Sequence, residues 1–144
     1  MSTIDQNKAI AVEFVDSLAK LDTDRFFSLF SKDAVIETIG NMAASARKDA
    51  AHVAKEIGLM QQIFPEGMTL NLVTMTAEDN RVLCELQGLN TTIDGQQYNN
   101  RYVFILEFSG DKISEVREYQ DTALVEAVLM PAFKKRGVVA NSKM

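Results

Sequence analysis

The sequence predicts an α+β domain in which helices cover one face of a curved antiparallel sheet. Three observations carry that expectation. Up to Pro65, apolar residues recur at helical spacing around one short extended run; from Met68 to Gln120 the period shortens to two; and each alternating run ends in a turn rich in Asp, Asn and Gly. Helical spacing returns after Asp121.

Thr3 followed by Gln6 forms a capping box, and Ala11, Phe14, Val15 and Leu18 share one face, so a first amphipathic helix is expected to run to about Leu21. Asp22 suits the cap of a short second helix carrying Phe26, Phe27, Leu29 and Phe30, followed by a brief strand over Ala34–Thr38 that Gly40-Asn41 breaks. Ser45 is the expected cap of a third helix with Ala50, Val53, Ala54 and Ile57 on one face, ending before Pro65-Glu66-Gly67. Strands are expected over Met68–Ala77, Arg81–Thr92, Gln96–Phe108 and Lys112–Gln120, as an antiparallel meander with turns at Glu78-Asp79-Asn80, Asp94-Gly95 and Ser109-Gly110-Asp111. Asp121 then caps a last helix limited by Pro131 and Gly137.

The 144 residues, 47% hydrophobic and 24% charged, suit a single domain over 1–137, with residues 138–144 as a mobile tail. Fifteen basic against twenty acidic residues, a net charge of −5, and no basic cluster longer than Lys134-Lys135-Arg136 argue against nucleic acid and anionic membranes as partners. No apolar run approaches the ~20 residues that span a bilayer, and Met1–Gln6 lacks a basic segment leading into an apolar one, so a cytoplasmic location is expected. One cysteine, Cys84, excludes an intramolecular disulfide, and with His52 as the one histidine a nitrogen and sulfur metal site lacks ligands. No metal and no cofactor are expected.

The stretch from Tyr98 to Asp121 carries polar groups between large apolar ones, the pattern of a sheet that lines a pocket. Alternation alone permits two parities: Glu85, Gln87 and Glu118 on a solvated outer face, or pointing into the pocket.

Together with Glu13–Leu18 in the first helix and Arg117-Glu118-Tyr119-Gln120-Asp121 leading into Glu126-Ala127-Val128, that hairpin resembles the nuclear transport factor-like (cone) superfamily. The resemblance is to its SnoaL-like polyketide cyclase and limonene-epoxide hydrolase branches, and more distantly to ketosteroid isomerase. It implies a cystatin-like fold: a cone-shaped, curved antiparallel or mixed sheet with N-terminal helices on its concave face. Laid on the epoxide hydrolase pattern without gaps, the catalytic arginine position becomes Glu85, one aspartate becomes Gln87 and the other Glu118, while the water-holding tyrosine and asparagine become Ile36 and Thr38. The functional positions of ketosteroid isomerase correspond to Phe14, Phe104 and Thr38. Neither catalytic set is complete, and only Glu118 keeps its chemistry.

The resemblance also selects the inward parity, in which Leu83, Glu85, Gln87 and Leu89 face the pocket with Asn100, Tyr102, Phe104, Val116, Glu118 and Gln120. Two enclosed carboxylates without an arginine would share a proton, so Glu118 and Glu85 are the candidate base and acid. Gln87, Asn100, Tyr102, Phe104, Gln120, Thr38 and Phe14 are the candidate substrate contacts, with Tyr102 as donor to a developing oxyanion. His52 and Asp121 are minor candidates, since a surface histidine and a helix cap explain them as well. The expected function is a pocket for a small, mostly apolar ligand bearing a carbonyl or hydroxyl group, with cofactor-free acid/base catalysis of isomerase, cyclase or hydrolase type. The alternative is a non-catalytic ligand-binding or dimeric interaction domain. On the inward parity Val82, Cys84, Leu86, Val103 and Ile105 form an apolar outer face, which implies a homodimer formed sheet to sheet.

Overall fold

The computed structural model describes residues 3–138. The tail expected to be mobile, residues 138–144, therefore lies outside the described residues except for Val138. Helix α1 (Thr3–Ala19) buries Ala11, Phe14, Val15 and Ser17. The chain turns at Leu21, whose φ is 52°, and Asp22 caps α2 (Thr23–Ser28) by accepting from the Arg25 N–H at 3.2 Å. Phe14, Phe26 and Phe30 pack as a ring cluster, with Phe14 to Phe26 at 5.6 Å and Phe26 to Phe30 at 4.8 Å. Phe27, in the same apolar run, is half exposed.

Strand β1 (Phe30–Thr38) is longer than its apolar core suggested, because its first half runs past the start of the last strand. Ser45 does not cap a helix. Residues Ala46–Asp49 form β2, antiparallel to β1, and α3 (Ala50–Leu59) begins one step later, capped by Asp49, which accepts from the His52 N–H at 2.8 Å. The ladder to β1 engages the backbone that an earlier helix start would need.

The remaining strands are β3 (Leu70–Glu78), β4 (Arg81–Gly88), β5 (Arg101–Ser109) and β6 (Lys112–Gln120). They form the expected meander, extended by a parallel pairing of β1 on β6, in a six-stranded curved sheet of order β2-β1-β6-β5-β4-β3. Extra residues at Val73 and Ser114 interrupt the ladders of β3 and β6 and add local twist.

The two middle strands are shorter than the alternation implied. Residues 89–100 form a loop with the single bridge Thr91 to Gln97, and side-chain amides replace the ladder there. Asn90 accepts from the Thr69 N–H at 2.7 Å and donates to the Thr69 carbonyl at 3.1 Å, while Asn99 accepts from the Asn90 N–H at 2.9 Å. Short amides compete with strand pairing in this way, which apolar spacing does not reveal.

The parity of β4 also differs from the expected one. Residues directly opposite in an antiparallel ladder share a face, and Tyr102 lies opposite Leu86, Phe104 opposite Cys84, and Val103 opposite Glu85. Val82, Cys84 and Leu86 are therefore fully buried under the helices, whereas Leu83, Glu85 and Gln87 sit on the outer face. A one-residue slip in the gapless carry-over reverses every side chain on the strand. Leu89, expected inside, is 53% exposed beyond the end of β4. The core occupies the space between the concave face and the helices. No helix among the described residues is long and apolar enough to cross a membrane.

Burial pushes the Cys84 thiol up to about 11. Cys84 should consequently stay unreactive toward a thiol reagent such as dithionitrobenzoate in native buffer and react in full once the protein is denatured. Fast labelling of the native protein would place β4 in the opposite parity.

Candidate functional site

The concave face is assembled in rows across the sheet. One row runs Ala46, Thr38, Glu118, Phe104, Cys84; the next runs Lys48, Ile36, Val116, Leu106, Val82. Between these rows and the helices lies a cavity of about 190 Å³. Phe14 and Leu18 of α1, Val53 and Glu56 of α3, and Met42, Met60 and Met68 from the connections line it.

The C-terminal segment closes another side. Asp121 caps α4 (Thr122–Leu124), accepting from the N–H groups of Ala123 and Leu124 at 3.1 and 3.3 Å. The chain continues through a wider π-helical turn, Val125–Leu129, into α5 (Met130–Lys135). Val125, Leu129, Met130 and Phe133 reach the cavity. Asp94 in the loop 89–100 holds this segment through Lys135 at 3.1 Å and Arg136 at 2.8 Å.

Six expected contacts come together here: Glu118, Thr38, Tyr102, Phe104, Gln120 and Phe14 all line the cavity. Asn100 lies just behind the wall. It is 1% exposed, and its amide donates to the Tyr98 hydroxyl at 3.1 Å, to Gln120 at 3.4 Å and to the Asp121 carbonyl at 3.3 Å, so it positions its neighbours. Glu85 and Gln87 are not part of the cavity. On the outer face Arg101 lies 3.6 Å from Glu85 and donates to Gln87 at 2.9 and 2.8 Å. The proposed sharing of a proton between Glu118 and Glu85 has no geometric basis. His52 does not line the cavity, and Asp121 serves as a cap.

Three polar residues missed by sequence reasoning do line it: Lys48, Glu56 and Tyr98. Lys48 is 4% exposed, and its ammonium donates to Glu56 Oε2 at 2.7 Å. Tyr98 is 1% exposed, packs against Phe64 and sets its hydroxyl group near that of Tyr102. A signal for Lys48 existed. Asp49 is as good a cap as Ser45, and starting α3 there frees Ala46–Asp49 to alternate as a strand with Lys48 inward.

Glu118 is partly buried, and its carboxyl group lies among apolar side chains. That burial pushes its pKa up to about 7, opposed by a hydrogen bond from Thr38 Oγ1 at 3.3 Å. The Glu56 carboxylate raises it further and the Lys48 ammonium lowers it. Burial also pushes Tyr98 up to about 12 and raises Tyr102, so both phenols remain donors at neutral pH. The site thus holds a carboxyl able to carry or release a proton near neutrality, two neutral phenols, and a lysine–glutamate pair.

Residues 11–116 match the SnoaL-like domain, most of the chain. The protein belongs to the SnoaL-like domain family. Solved structures agree in fold. A Bacillus subtilis protein provisionally named an isomerase is 19% identical, with a TM-score of 0.75 over 90% of this chain and 96% of that one. The BvnE pinacolase of Penicillium brevicompactum is 16% identical, with a TM-score of 0.77 over 92% and 97%. An NTF2-like protein of Burkholderia xenovorans is 16% identical, with a TM-score of 0.68 over 87% and 96%. No curated protein matches the chain in sequence. These identities carry the nuclear transport factor-like fold and leave the chemistry of this SnoaL-like domain to its own residues.

Linkage gives the Glu118 carboxyl a measurable signature. Its folded pKa, about 7, lies above its ordinary 4.5, so the folded state binds more protons between those values. The stability it contributes is complete below pH 4.5 and is lost as pH rises through 7. Glu118→Gln should therefore gain on the wild type across that window, by up to about 3 kcal/mol in urea denaturation. Parallel pH profiles for the two proteins would remove the raised pKa.

Proposed function

We propose that this SnoaL-like domain binds a small, mostly apolar ligand bearing a carbonyl or hydroxyl group and moves a proton on it without a cofactor, with Glu118 as the proton carrier. The observation that supports this reading is a carboxyl group near half ionisation at neutral pH on the wall of an apolar cavity. Thr38 orients it. Tyr98 and Tyr102 offer neutral hydroxyl groups to a ligand oxygen, and Asn100 fixes Tyr98. A cavity of about 190 Å³ suits a single-ring molecule, since a dry cavity of ~150 Å³ accepts benzene. Proton-shift chemistry of isomerase or cyclase type fits better than hydrolysis, because Ile36 and Thr38 make a poor cradle for an attacking water.

A second reading, ligand binding without chemistry, draws support from the outward position of Glu85, which leaves Glu118 without a second free carboxyl group as acid partner. The two readings separate on exchange of the α-protons of a small cyclic ketone, such as cyclohexanone, in deuterated buffer. Exchange above background is expected, falling ~100-fold or more in Glu118→Gln. Binding without exchange would leave the non-catalytic reading.

A homodimer through the outer sheet face is part of the same proposal. Leu83, Val103 and Ile105 share that face with Tyr119, which is 41% exposed, while Arg117 is held within the chain by Glu107 at 2.5 Å and Glu115 at 2.7 Å. Sedimentation should give a dimer, and Ile105→Lys a monomer. A wild-type monomer would refute it.

A further inference from the structure

Lys48 is a costly residue for its position. It projects inward from a four-residue edge strand, 4% exposed, where its neighbour in the same alternation is Ala46. An ion pair so placed is a weak device for stability, since apolar replacements of both partners are often neutral or better. Its partner is prepared. Glu56 lies on the cavity face of α3 with Val53 and Ile57, on the helix that Asp49 starts directly after Lys48, and it accepts from the Lys48 ammonium at 2.7 Å. An ammonium carries three N–H donors, more than one carboxylate oxygen can use, and Lys48 itself lines the cavity.

The charges around Glu118 complete the argument. The groups that act on it are Thr38 from β1, Lys48 from β2 and Glu56 from α3, and its own charge reaches the phenols of Tyr102 on β5 and Tyr98 in the loop. Of these, Lys48 carries the one positive charge. When the Glu118 carboxylate takes a proton from a carbon next to a carbonyl, the C–H electron pair becomes the C=C bond and the carbonyl π pair moves onto oxygen. The cavity keeps its net charge while one unit of negative charge moves from Glu118 to the ligand oxygen. A cationic donor holds that oxygen more strongly than a neutral hydroxyl group does.

We infer that Lys48, clamped by Glu56, receives the ligand's oxygen in this cavity, and that the ligand is a single-ring molecule whose oxygen takes up negative charge, namely an enolisable ketone, an enol or a phenol. The inference rests on the ligand-pocket reading above and adds to it the substrate class and the residue that selects it. A ligand bound as the anion beside protonated Glu118 has the same total charge as a neutral ketone beside the carboxylate. A phenolate therefore imitates the state after proton transfer.

The test uses para-nitrophenol, whose absorbance reports its ionisation, on the intact protein. Wild type and Lys48→Arg should bind the phenolate in preference to the phenol, shifting its ionisation to lower pH than in free solution. Lys48→Met combined with Glu56→Gln, a neutral pair of similar size, should bind the phenolate about tenfold more weakly and keep its affinity for the neutral phenol. Equal phenolate binding by that double variant would overturn the role of Lys48 while leaving the pocket intact. Failure of the wild type to bind either form would overturn the ligand-pocket reading and this inference together. In the unsubstituted protein, nuclear Overhauser contacts from the probe's ring to the Lys48 ε-methylene are expected; contacts confined to Met130 and Phe133 would overturn the assignment independently of any variant's folding.

Discussion

The parallel register of β1 on β6 is the constraint on which the cavity depends. It sets Thr38 beside Glu118 and Ile36 beside Val116, and through β2 it brings Lys48 into the same concave surface. Because side chains alternate along a strand, a shift of one residue in that pairing would turn Glu118 to the outer face and put Arg117 inside. The burial of Val116 and Ile113 and the ring cluster of Phe14, Phe26 and Phe30 against Phe104 hold the register, so the core and the candidate site share one cause.

The electrostatics follow from that geometry. A carboxyl group placed among methyl groups and rings resists ionisation, and one hydrogen bond from Thr38 offsets little of the cost. Lys48 tolerates burial because Glu56 faces it from the adjoining helix. Among the described residues no cation forms an ion pair with Glu118, and burial leaves it poised near neutral pH. The contrast with the outer face is clear: there Arg117 satisfies Glu107 and Glu115, and the Glu107 carboxyl is held below its usual range by Arg117. Carboxylates on the two faces of one sheet thus take opposite directions, set by burial on one side and a guanidinium on the other.

Much of the fold was legible in the sequence because it depends on local signals. The period changes at Met68, the caps at Asp22 and Asp121, and the turns at Asp79 and Gly110 are written in a few adjacent residues. Less of the site was legible. Glu118, Tyr102 and Thr38 emerged through the family pattern, whereas Glu85 and Gln87 were expected inside and lie outside. The cause is the loop 89–100, whose asparagines satisfy its backbone without a ladder, so the register of β4 on β5 cannot be counted across it. Lys48 and Glu56 escaped notice because a four-residue strand shows too little alternation to be read.

By itself the sequence determined an α+β fold with helices ahead of a meander, and it offered two carboxylates, Glu118 and Glu85, on strands expected to line a pocket. These depend on composition, period and capping, which act over a few residues along the chain. The tertiary structure decided which face each strand turns inward, that β1 lies parallel to β6, and that Lys48, Glu56 and Tyr98 meet Glu118 around one cavity. Those depend on strand register and on contacts between residues far apart in the chain, and alternation with a period of two is equally satisfied by either face until a partner strand selects one.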